Sequence, residues 1–120
     1  MELGKKKHQQ RSSHRMELLS KMQRSEFIEL KQLPNVGPAT AGYLRLAGVS
    51  QPSHLTGCDP YALFEKLCQT TGRRFDPCLL DQFIAAVRFM DGEAARPWWE
   101  FTAERKAKMK TRSTDRRSEK

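Results

Sequence analysis

The sequence predicts an all-α protein, a small bundle of about five to six helices with disordered basic termini. Two Asp-Pro pairs, Asp59-Pro60 and Asp76-Pro77, each place a capping carboxylate before a proline that suits the first position of a helix. Behind both pairs, apolar residues recur at helical spacing. No stretch alternates apolar and polar residues in the way that a half-buried strand does.

The net charge of +8 is concentrated at the two ends of the chain. Residues 1–25 hold seven Lys or Arg against two Asp or Glu, and residues 102–120 hold eight against three. Residues 26–101 hold seven against nine. The core is therefore slightly acidic, and any electrostatic attraction to a polyanion would come mainly from the ends.

The length of 120 residues suffices for one domain. We predict a basic, partly disordered N-terminal arm over residues 1–24, a domain over 25–102 and a basic tail over 103–120. No run approaches the ~20 apolar residues of a membrane span, and the charged N-terminus lacks the apolar run of a secretory signal. Three cysteines without an export signal indicate reduced thiols. We therefore expect a cytoplasmic protein with no membrane partner.

Two helices are expected before residue 33. The apolar residues within Ser13–Arg24 permit the first helix. Ser25 can cap the second helix, which we expect to run to Gln32. The core-facing side chains of the second helix would be Phe27, Ile28 and Leu30.

The segment Leu33–Ala41 predicts a tight turn that leads into the next helix. Val36 is the apolar residue at its centre, and Asn35 and Gly37 on either side tolerate positive φ. Pro38 suits the first helical position, because its missing N–H would have had no partner there. Such a turn leaves the N–H groups at the helix start free, and free N–H groups at a helix start bind anions.

The helix after this turn is expected over Ala39–Ala47. Within it, Gly42 would allow a close approach to a neighbouring helix, and Gly48 would end it. A short helical turn around Gln51–Leu55 is expected to follow.

The two long helices come next. The first is expected to run from Asp59-Pro60 to Gly72, and the second from Asp76-Pro77 to Asp91-Gly92. Apolar residues cover most of the circumference of the second helix, which is typical of the central helix of a bundle.

The segment Pro97–Phe101 is predicted to clamp the C-terminal end onto the core, because its three aromatic rings carry a large apolar area. Stacking of one of these rings on a nucleobase is the less favoured alternative. Beyond this segment, Ala103–Lys110 is expected to extend as an exposed basic helix before the tail loses regular structure.

The turn segment resembles the helix-hairpin-helix signature, whose usual form is Leu-Pro-Gly-Val-Gly-Pro-Lys-Thr-Ala. Asp76–Phe83 and Pro97–Phe101 are similar to segments of the bacterial pathogenicity-locus family, some members of which are labelled mitomycin-resistance proteins. The resemblance covers roughly residues 26–102 and implies a small helix-hairpin-helix bundle. This sequence has Asn35 in place of the first glycine of the signature. It also has Ala39 in place of the usual lysine, which removes a cation from beside the expected phosphate.

We expect the turn to bind one backbone phosphate, a contact that reads no base sequence. The donors would be the amides near Gly37, Ala39 and Thr40, together with the Thr40 hydroxyl. The predicted phosphate-binding residues are Asn35, Val36, Gly37, Ala39, Thr40, Lys31 and Arg45, with Lys21 or Arg24 as further sources of charge.

Arg73 and Arg74 form a candidate second DNA contact in the loop between the two long helices. Simple solvation of an exposed arginine pair is the alternative there. The same loop is a candidate for a degenerate second hairpin, with a plain connection as the other interpretation. The basic ends of the chain are expected to bind phosphates electrostatically, with a steep salt dependence.

The three cysteines do not predict a metal site. Cys58, Cys68 and Cys78 have nine residues between neighbours, whereas structural zinc ligands come in pairs two to four residues apart. His54 does not change this, and small buried apolar residues are the favoured interpretation of the cysteines. A helix-start position would lower the pKa of Cys78 and make its thiol reactive. No metal or cofactor is predicted.

The sequence predicts no catalytic residues. The three histidines lie far apart in the sequence, and no phosphate loop, nucleophile elbow or His-Glu-x-x-His motif occurs. A helix-hairpin-helix glycosylase is a possible reaction class, because mitomycin damages DNA. Such an enzyme must enclose an extruded base, and a core of this size lacks room for that pocket. Asp59 and Asp76, the candidate acids, are explained as helix caps.

We therefore expect sequence-nonspecific, non-catalytic binding of the DNA backbone, duplex or structured, through the turn and the basic ends. The expected setting is DNA repair or maintenance, with no small-molecule substrate. The alternative is a protein-interaction module that docks onto a larger DNA-processing enzyme. The acidic core, the missing lysine at position 39 and the aromatic C-terminal segment also fit that alternative.

Overall fold

The structure is a computed structural model that describes residues 15–119, with side chains for residues 15–110. All regular elements in this range are helical, which confirms the predicted all-α class. The α-helices are α1 (residues 15–21), α2 (Pro38–Leu46), α3 (Pro60–Thr71), α4 (Pro77–Met90) and α5 (Thr102–Glu119). Short 3-10 helices cover Arg24–Glu26, Leu30–Gln32, Pro52–Leu55 and Trp98–Phe101. The disorder predicted for residues 1–12 lies outside the described residues.

Helix α4 is the centre of the bundle, as its broad apolar circumference predicts. Ten of its fourteen residues are buried, and Phe83, Ile84 and Ala86 are completely so. Helices α2 and α3 and the 3-10 helices Pro52–Leu55 and Trp98–Phe101 pack against it. Because each fully buried large apolar side chain contributes about 1.5–3 kcal/mol, this helix holds the other elements together.

The two Asp-Pro pairs begin helices as predicted. The N–H of Tyr61 donates to Oδ1 of Asp59 at 2.9 Å. The N–H of Cys78 donates to Oδ1 of Asp76 at 2.8 Å. Both caps are contacts between residues two apart in the chain, so the local sequence is enough to form them.

The helix predicted from Ser25 to Gln32 does not form. Two single 3-10 turns stand in its place, separated by extended backbone around Phe27. The side-chain oxygen of Gln32 accepts hydrogen bonds from the N–H groups of Ile28 and Glu29 at 2.8 and 2.7 Å. These amides therefore do not take part in helical backbone hydrogen bonds. The extended backbone turns Phe27 onto the ring of Phe89, with centroids 5.0 Å apart.

One of the three side chains expected to face the core from this segment points to solvent. Phe27 and Leu30 are buried as predicted, but Ile28 is 72% exposed. The broken helix explains the difference, because residues 27 and 28 do not follow helical geometry.

The aromatic segment Pro97–Phe101 packs on α4, but only partly as expected. The ring of Phe101 is buried among Leu80 and Ile84, and Trp98 is half-buried. Trp99 is 58% exposed, so this ring contributes little to the predicted clamp. Adjacent side chains of a single 3-10 turn point in different directions and cannot all face α4.

Helix α5 is fixed to α4 through one buried carboxylate, that of Asp81. The hydroxyl of Thr102 donates to Oδ2 of Asp81 at 2.7 Å, and Nε of Arg105 donates to Oδ1 at 2.9 Å. The hydrogen bond to this carboxylate is the main cause that raises the pKa of the Arg105 guanidinium. The first turn of α5 is therefore part of the packed bundle.

The helix that begins at Thr102 is longer than expected. It continues to Glu119, whereas the charge pattern predicts an exposed helix only as far as Lys110. Residues 102–119 contain no glycine or proline and many strong helix formers, which favours a continuous helix.

Candidate functional site

The turn before α2 uses positive φ at one residue only. Asn35 has φ +68°, and the N–H of Val36 closes the turn by donating to the carbonyl of Leu33 at 3.2 Å. Val36 is buried as the predicted apolar centre. Gly37 has φ −94° and ψ −174°, an extended conformation that any residue adopts. Of the two residues that tolerate positive φ, only Asn35 therefore adopts it.

The start of α2 is open to solvent. Gly37, Pro38 and Ala39 are all exposed, and we call these three residues the open start of α2. No side chain of the described residues caps this helix, and the first helical hydrogen bond runs from the N–H of Ala41 to the carbonyl of Gly37 at 2.9 Å. The N–H groups of Gly37, Ala39 and Thr40 have no acceptor within residues 15–119.

The hydroxyl of Thr40 already has a partner. It donates to Oε1 of Gln82 in α4, and the Thr40 side chain is buried. Its predicted role as a phosphate donor is therefore corrected to an internal contact between α2 and α4, because helical geometry turns residue 40 inward while residues 37–39 face outward. The backbone N–H of Thr40 stays part of the candidate site.

The side chain of Asn35 ties the turn to the aromatic segment. Its Nδ2 donates to the carbonyl of Arg96 at 2.7 Å, and its Oδ1 accepts the N–H of Trp98 at 3.1 Å. The local residue pattern indicates Asn35 only as a tolerated replacement for glycine and does not reveal this role. The presence of Asn35 in place of the first glycine of the signature is a signal for this contact, because its side-chain amide offers both a donor and an acceptor.

Lys31 and Arg45 are exposed cations on either side of the turn in the sequence. Neither forms an ion pair with the described side chains. Arg45 lies seven residues after Pro38, so it shares a helix face with Pro38 but lies about 10 Å further along α2. Arg45 is too far along the helix to bind the same phosphate as the open start. Its position would suit a neighbouring phosphate.

Arg24 is not available as a phosphate contact. Its guanidinium donates to the carbonyls of Phe89 and Glu93 at 2.6 and 2.8 Å and lies 3.8 Å from the centroid of the Phe89 ring. Burial lowers the pKa of this guanidinium below its ordinary value. Arg24 therefore holds the N-terminal segment against the end of α4. Lys21 is exposed.

Arg73 and Arg74 are exposed in the loop between α3 and α4. The guanidinium of Arg73 lies 4.9 Å from the centroid of the Phe75 ring. That ring meets Tyr43 of α2 edge to face, with centroids 4.9 Å apart. These contacts hold the loop against the same helix that carries the open start.

Two glycines of this region have no packing role within the described residues. A Cβ added at Gly37 or Gly42 would meet no other atom within 4 Å. The predicted close approach of a neighbouring helix at Gly42 is therefore wrong, because the side of α2 that carries it does not face α3 or α4 closely.

The cysteines and the other candidate ligands form no metal centre in the described part of the chain. No group of three or more His, Cys, Asp or Glu residues within it is placed to hold a metal ion. Cys78 also differs from the expectation, because its hydrogen bond to the Asp76 carboxylate raises the pKa of the thiol instead of lowering it. Within residues 15–119, no helix is both long and apolar enough to cross a membrane.

Two comparisons with known proteins identify relatives of this chain. Residues 23–107 match the family described as Cdd1, pathogenicity locus. A protein named mitomycin resistance protein McrB, from Streptomyces lavendulae, is 39% identical over 95 residues, which cover 79% of this chain and 90% of the relative. No solved structure matches. The chain belongs to the pathogenicity-locus family, as its three sequence segments predict.

Proposed function

We propose that this protein binds the DNA backbone without base preference and without catalysis, through the open start of α2 and the basic ends of the chain. The proposed setting is DNA repair or maintenance in the cytoplasm. The relative from Streptomyces is named for mitomycin resistance, which fits this setting.

The observation that carries the proposal is the set of unpaired amides at the open start. Helices α2, α3 and α4 all have proline at the first position, but only α3 and α4 have a carboxylate cap. At α2 the N–H groups face solvent together with the positive end of the helix dipole, an arrangement that favours a phosphate oxygen.

The glycines of α2 support the same proposal. Glycine within a helix costs roughly 0.5–1 kcal/mol relative to alanine, and Gly42 has no packing contact that offsets this cost. Gly37 needs neither its conformational freedom nor its small size for packing. Glycine at both positions leaves the surface beside the amides free for the close approach of a ligand backbone.

Further cations extend the proposed contact along the surface. Arg45 lies on the same face of α2 as Pro38 and would meet a neighbouring phosphate. Arg73 and Arg74, held beside α2 through Phe75 and Tyr43, supply a second basic point. Contacts of this kind position a nucleic acid and do not read its sequence.

The test places a carboxylate at two comparable helix starts. Ala39 in α2 and Ala62 in α3 are both exposed alanines in the first turn of a helix. Ala39→Glu should weaken binding to a 20-bp duplex roughly 10-fold or more, since hydrogen bonds to a charged group contribute about 1.5–3 kcal/mol. Ala62→Glu changes the net charge equally and should alter the affinity by less than about twofold. Fluorescence anisotropy at fixed ionic strength measures both.

Two further variants sharpen this test. Gly37→Val should keep the fold, because φ of −94° suits valine and its Cβ has open space, while its methyl groups shield the amides. Ala39→Lys restores the usual lysine of the signature and should raise the affinity, with a salt slope steeper by about 0.9. Equal affinities of Ala39→Glu, Ala62→Glu and the unchanged protein would refute a role for the open start.

Docking onto a DNA-processing protein is the second candidate function. The slightly acidic core and the 72% exposure of Ile28, close to the turn in the sequence, favour it. If the protein binds DNA with a steep salt dependence but Ala39→Glu has no effect, the basic ends alone make the contact and docking becomes the favoured function of the core.

A further inference from the structure

Trp99 is the one aromatic ring of the Pro97–Phe101 segment that the fold leaves in solvent. It is 58% exposed, while Phe101 is buried and Trp98 half-buried. A large apolar ring gains stability from burial, so an exposed tryptophan suggests a use outside the packing of the bundle.

Asn35 fixes the position of this ring relative to the turn. The Asn35 side chain binds the carbonyl of Arg96 and the N–H of Trp98, the residue directly before Trp99. Asn35 is also two residues before Gly37, and successive Cα atoms are about 3.8 Å apart. The exposed ring is therefore attached beside the turn and the open start of α2.

The orientation of Trp99 is restrained by its neighbour. The rings of Trp98 and Trp99 meet nearly at right angles, 83°, with centroids 5.7 Å apart. An edge-to-face contact of this kind restrains the side chain and leaves ring surface accessible to a flat ligand. The adjacent Glu100 carboxylate is paired with Nε of Arg96 at 3.0 Å, so it does not present an isolated negative charge.

We infer that Trp99 stacks on an unpaired nucleobase whose neighbouring phosphate binds at the open start of α2. The preferred substrate is then DNA with an unpaired nucleotide, such as a bulge, instead of intact duplex. This inference rests on the proposed function, because it names the kind of DNA that the same site takes. Stacking on an aromatic ring accepts any base, so the site stays independent of sequence.

The residues around Trp99 favour a nucleobase over a protein partner. The neighbours of the ring in its own segment are the half-buried Pro97 and Trp98 and the paired charges of Arg96 and Glu100. A protein docking site is expected to surround its central aromatic residue with further exposed apolar surface. One restrained ring next to free backbone amides matches the base and phosphate of a single nucleotide.

The experiment compares two DNAs and three proteins at full length. The DNAs are a 20-bp duplex and the same duplex with one extra unpaired nucleotide, and the proteins are the unchanged chain, Trp99→Ala and Trp99→Phe. Trp99→Ala should weaken binding to the bulged DNA roughly 5- to 150-fold and change binding to the intact duplex by less than about twofold. Trp99→Phe should retain most of the affinity for the bulged DNA. Quenching of tryptophan fluorescence by the bulged DNA should be reduced in Trp99→Ala, which retains Trp98.

The variant Ala39→Glu separates this inference from the proposed function. Suppose that Ala39→Glu weakens binding to both DNAs. If Trp99→Ala then changes the affinity for neither DNA, or changes both affinities equally, the stacking role is wrong and phosphate binding stands. If the unchanged protein binds neither DNA, both proposals fail. Unaltered circular dichroism and thermal unfolding of Trp99→Ala would show that a loss of affinity does not come from loss of fold.

Discussion

The helix starts of this protein are of two kinds. Helices α3 and α4 begin under the carboxylates of Asp59 and Asp76, which accept backbone N–H groups of the first turn. We call these the closed starts. At the open start of α2, no described side chain accepts a hydrogen bond from the backbone N–H groups. Among α2, α3 and α4, the start of α2 alone therefore leaves its first backbone N–H groups without a side-chain acceptor.

Two neighbouring residues of α4 accept hydrogen bonds from the first turns of α2 and α5. Asp81 accepts hydrogen bonds from Thr102 and Arg105 in the first turn of α5, whereas Gln82 accepts one from the Thr40 hydroxyl in the first turn of α2. The contact at α2 satisfies a side chain and leaves the backbone amides free. One central helix therefore anchors both neighbours.

Removing the buried carboxylate that anchors α5 should have the most severe consequence. Asp81→Ala should lower the free energy of unfolding by about 3–5 kcal/mol, because it leaves the Arg105 guanidinium largely buried without a counter-charge. Urea denaturation at neutral pH measures this. The control Glu100→Ala breaks the exposed pair with Arg96 and should cost about 0–1 kcal/mol. Equal losses in the two variants would show that Asp81 does not hold α5.

The open start is held in place from outside the helix, by Asn35. Asn35→Ala should lower the free energy of unfolding by about 2–4 kcal/mol. It removes two hydrogen bonds, and it places alanine, which disfavours the left-handed region, at φ +68°. Asn35→Gly restores the usual signature and relieves the backbone, so it should cost about 1–2 kcal/mol less than Asn35→Ala. Denaturant unfolding measures both, and a red shift of the tryptophan emission would report release of Trp98. If Asn35→Gly is the less stable of the two, the backbone argument is wrong.

Exchanging the two kinds of start should give opposite results. Asp59→Ala opens α3 and should cost about 1 kcal/mol of stability without changing DNA affinity. Gly37→Ser adds a cap to α2, where it should stabilise by a few tenths of a kcal/mol and weaken DNA binding, because the hydroxyl takes the amide that the phosphate needs. Thermal unfolding and anisotropy of both variants test this reversal, and a gain in DNA affinity for Gly37→Ser would contradict it.

The smallest change is expected in the pH dependence of stability. Hydrogen bonds from the backbone N–H and then the thiol of Cys78 lower the pKa of Asp76 below its ordinary value of 3.8. A carboxyl whose folded pKa is lowered contributes stability that is fully present above its unfolded pKa and is lost as the pH falls through the folded pKa. The stability advantage over Asp76→Asn should therefore be constant near neutrality and shrink as the pH falls from about 4. Thermal unfolding between pH 6 and pH 2.5 measures this advantage, and one that grows in acid would contradict the assignment.

The same variant reports on the Cys78 thiol. The Asp76 carboxylate raises the pKa of Cys78, so Asp76→Asn should lower that pKa and speed the reaction of the thiol with an alkylating reagent near pH 8. An unchanged reaction rate would show that the carboxylate does not control this thiol.

Much of the fold could be predicted because its signals are local. A capping carboxylate, a proline and a run of apolar residues at helical spacing predict α3 and α4, and a glycine at the expected place ends α3 with φ +68°. The helix expected over Ser25–Gln32 was wrong because the burial of Phe27 against Phe89, 62 positions later, outweighs local helix preference.

The candidate site was predictable in its backbone and not in its side chains. The residue types around Pro38 indicate a helix start with free amides, and the structure leaves those amides exposed. Whether a nearby side chain is available to a ligand depends on partners far away in the chain. Arg24 binds carbonyls 65 and 69 positions later, and Thr40 binds a residue 42 positions later. Neither of these contacts can be recognised from the residues close to Arg24 or Thr40 in the sequence.

Sequence alone was sufficient for the all-helical class, the capped helices, the family and the uneven distribution of charge, because each of these depends on residues a few positions apart or on composition. The packing of the chain was needed to turn Trp99 outward, to bind Asn35 to the aromatic segment and to bury Asp81 under Arg105. These three features join residues 24 or more positions apart, or depend on which face of a turn meets α4, and such contacts are set only when the elements pack together.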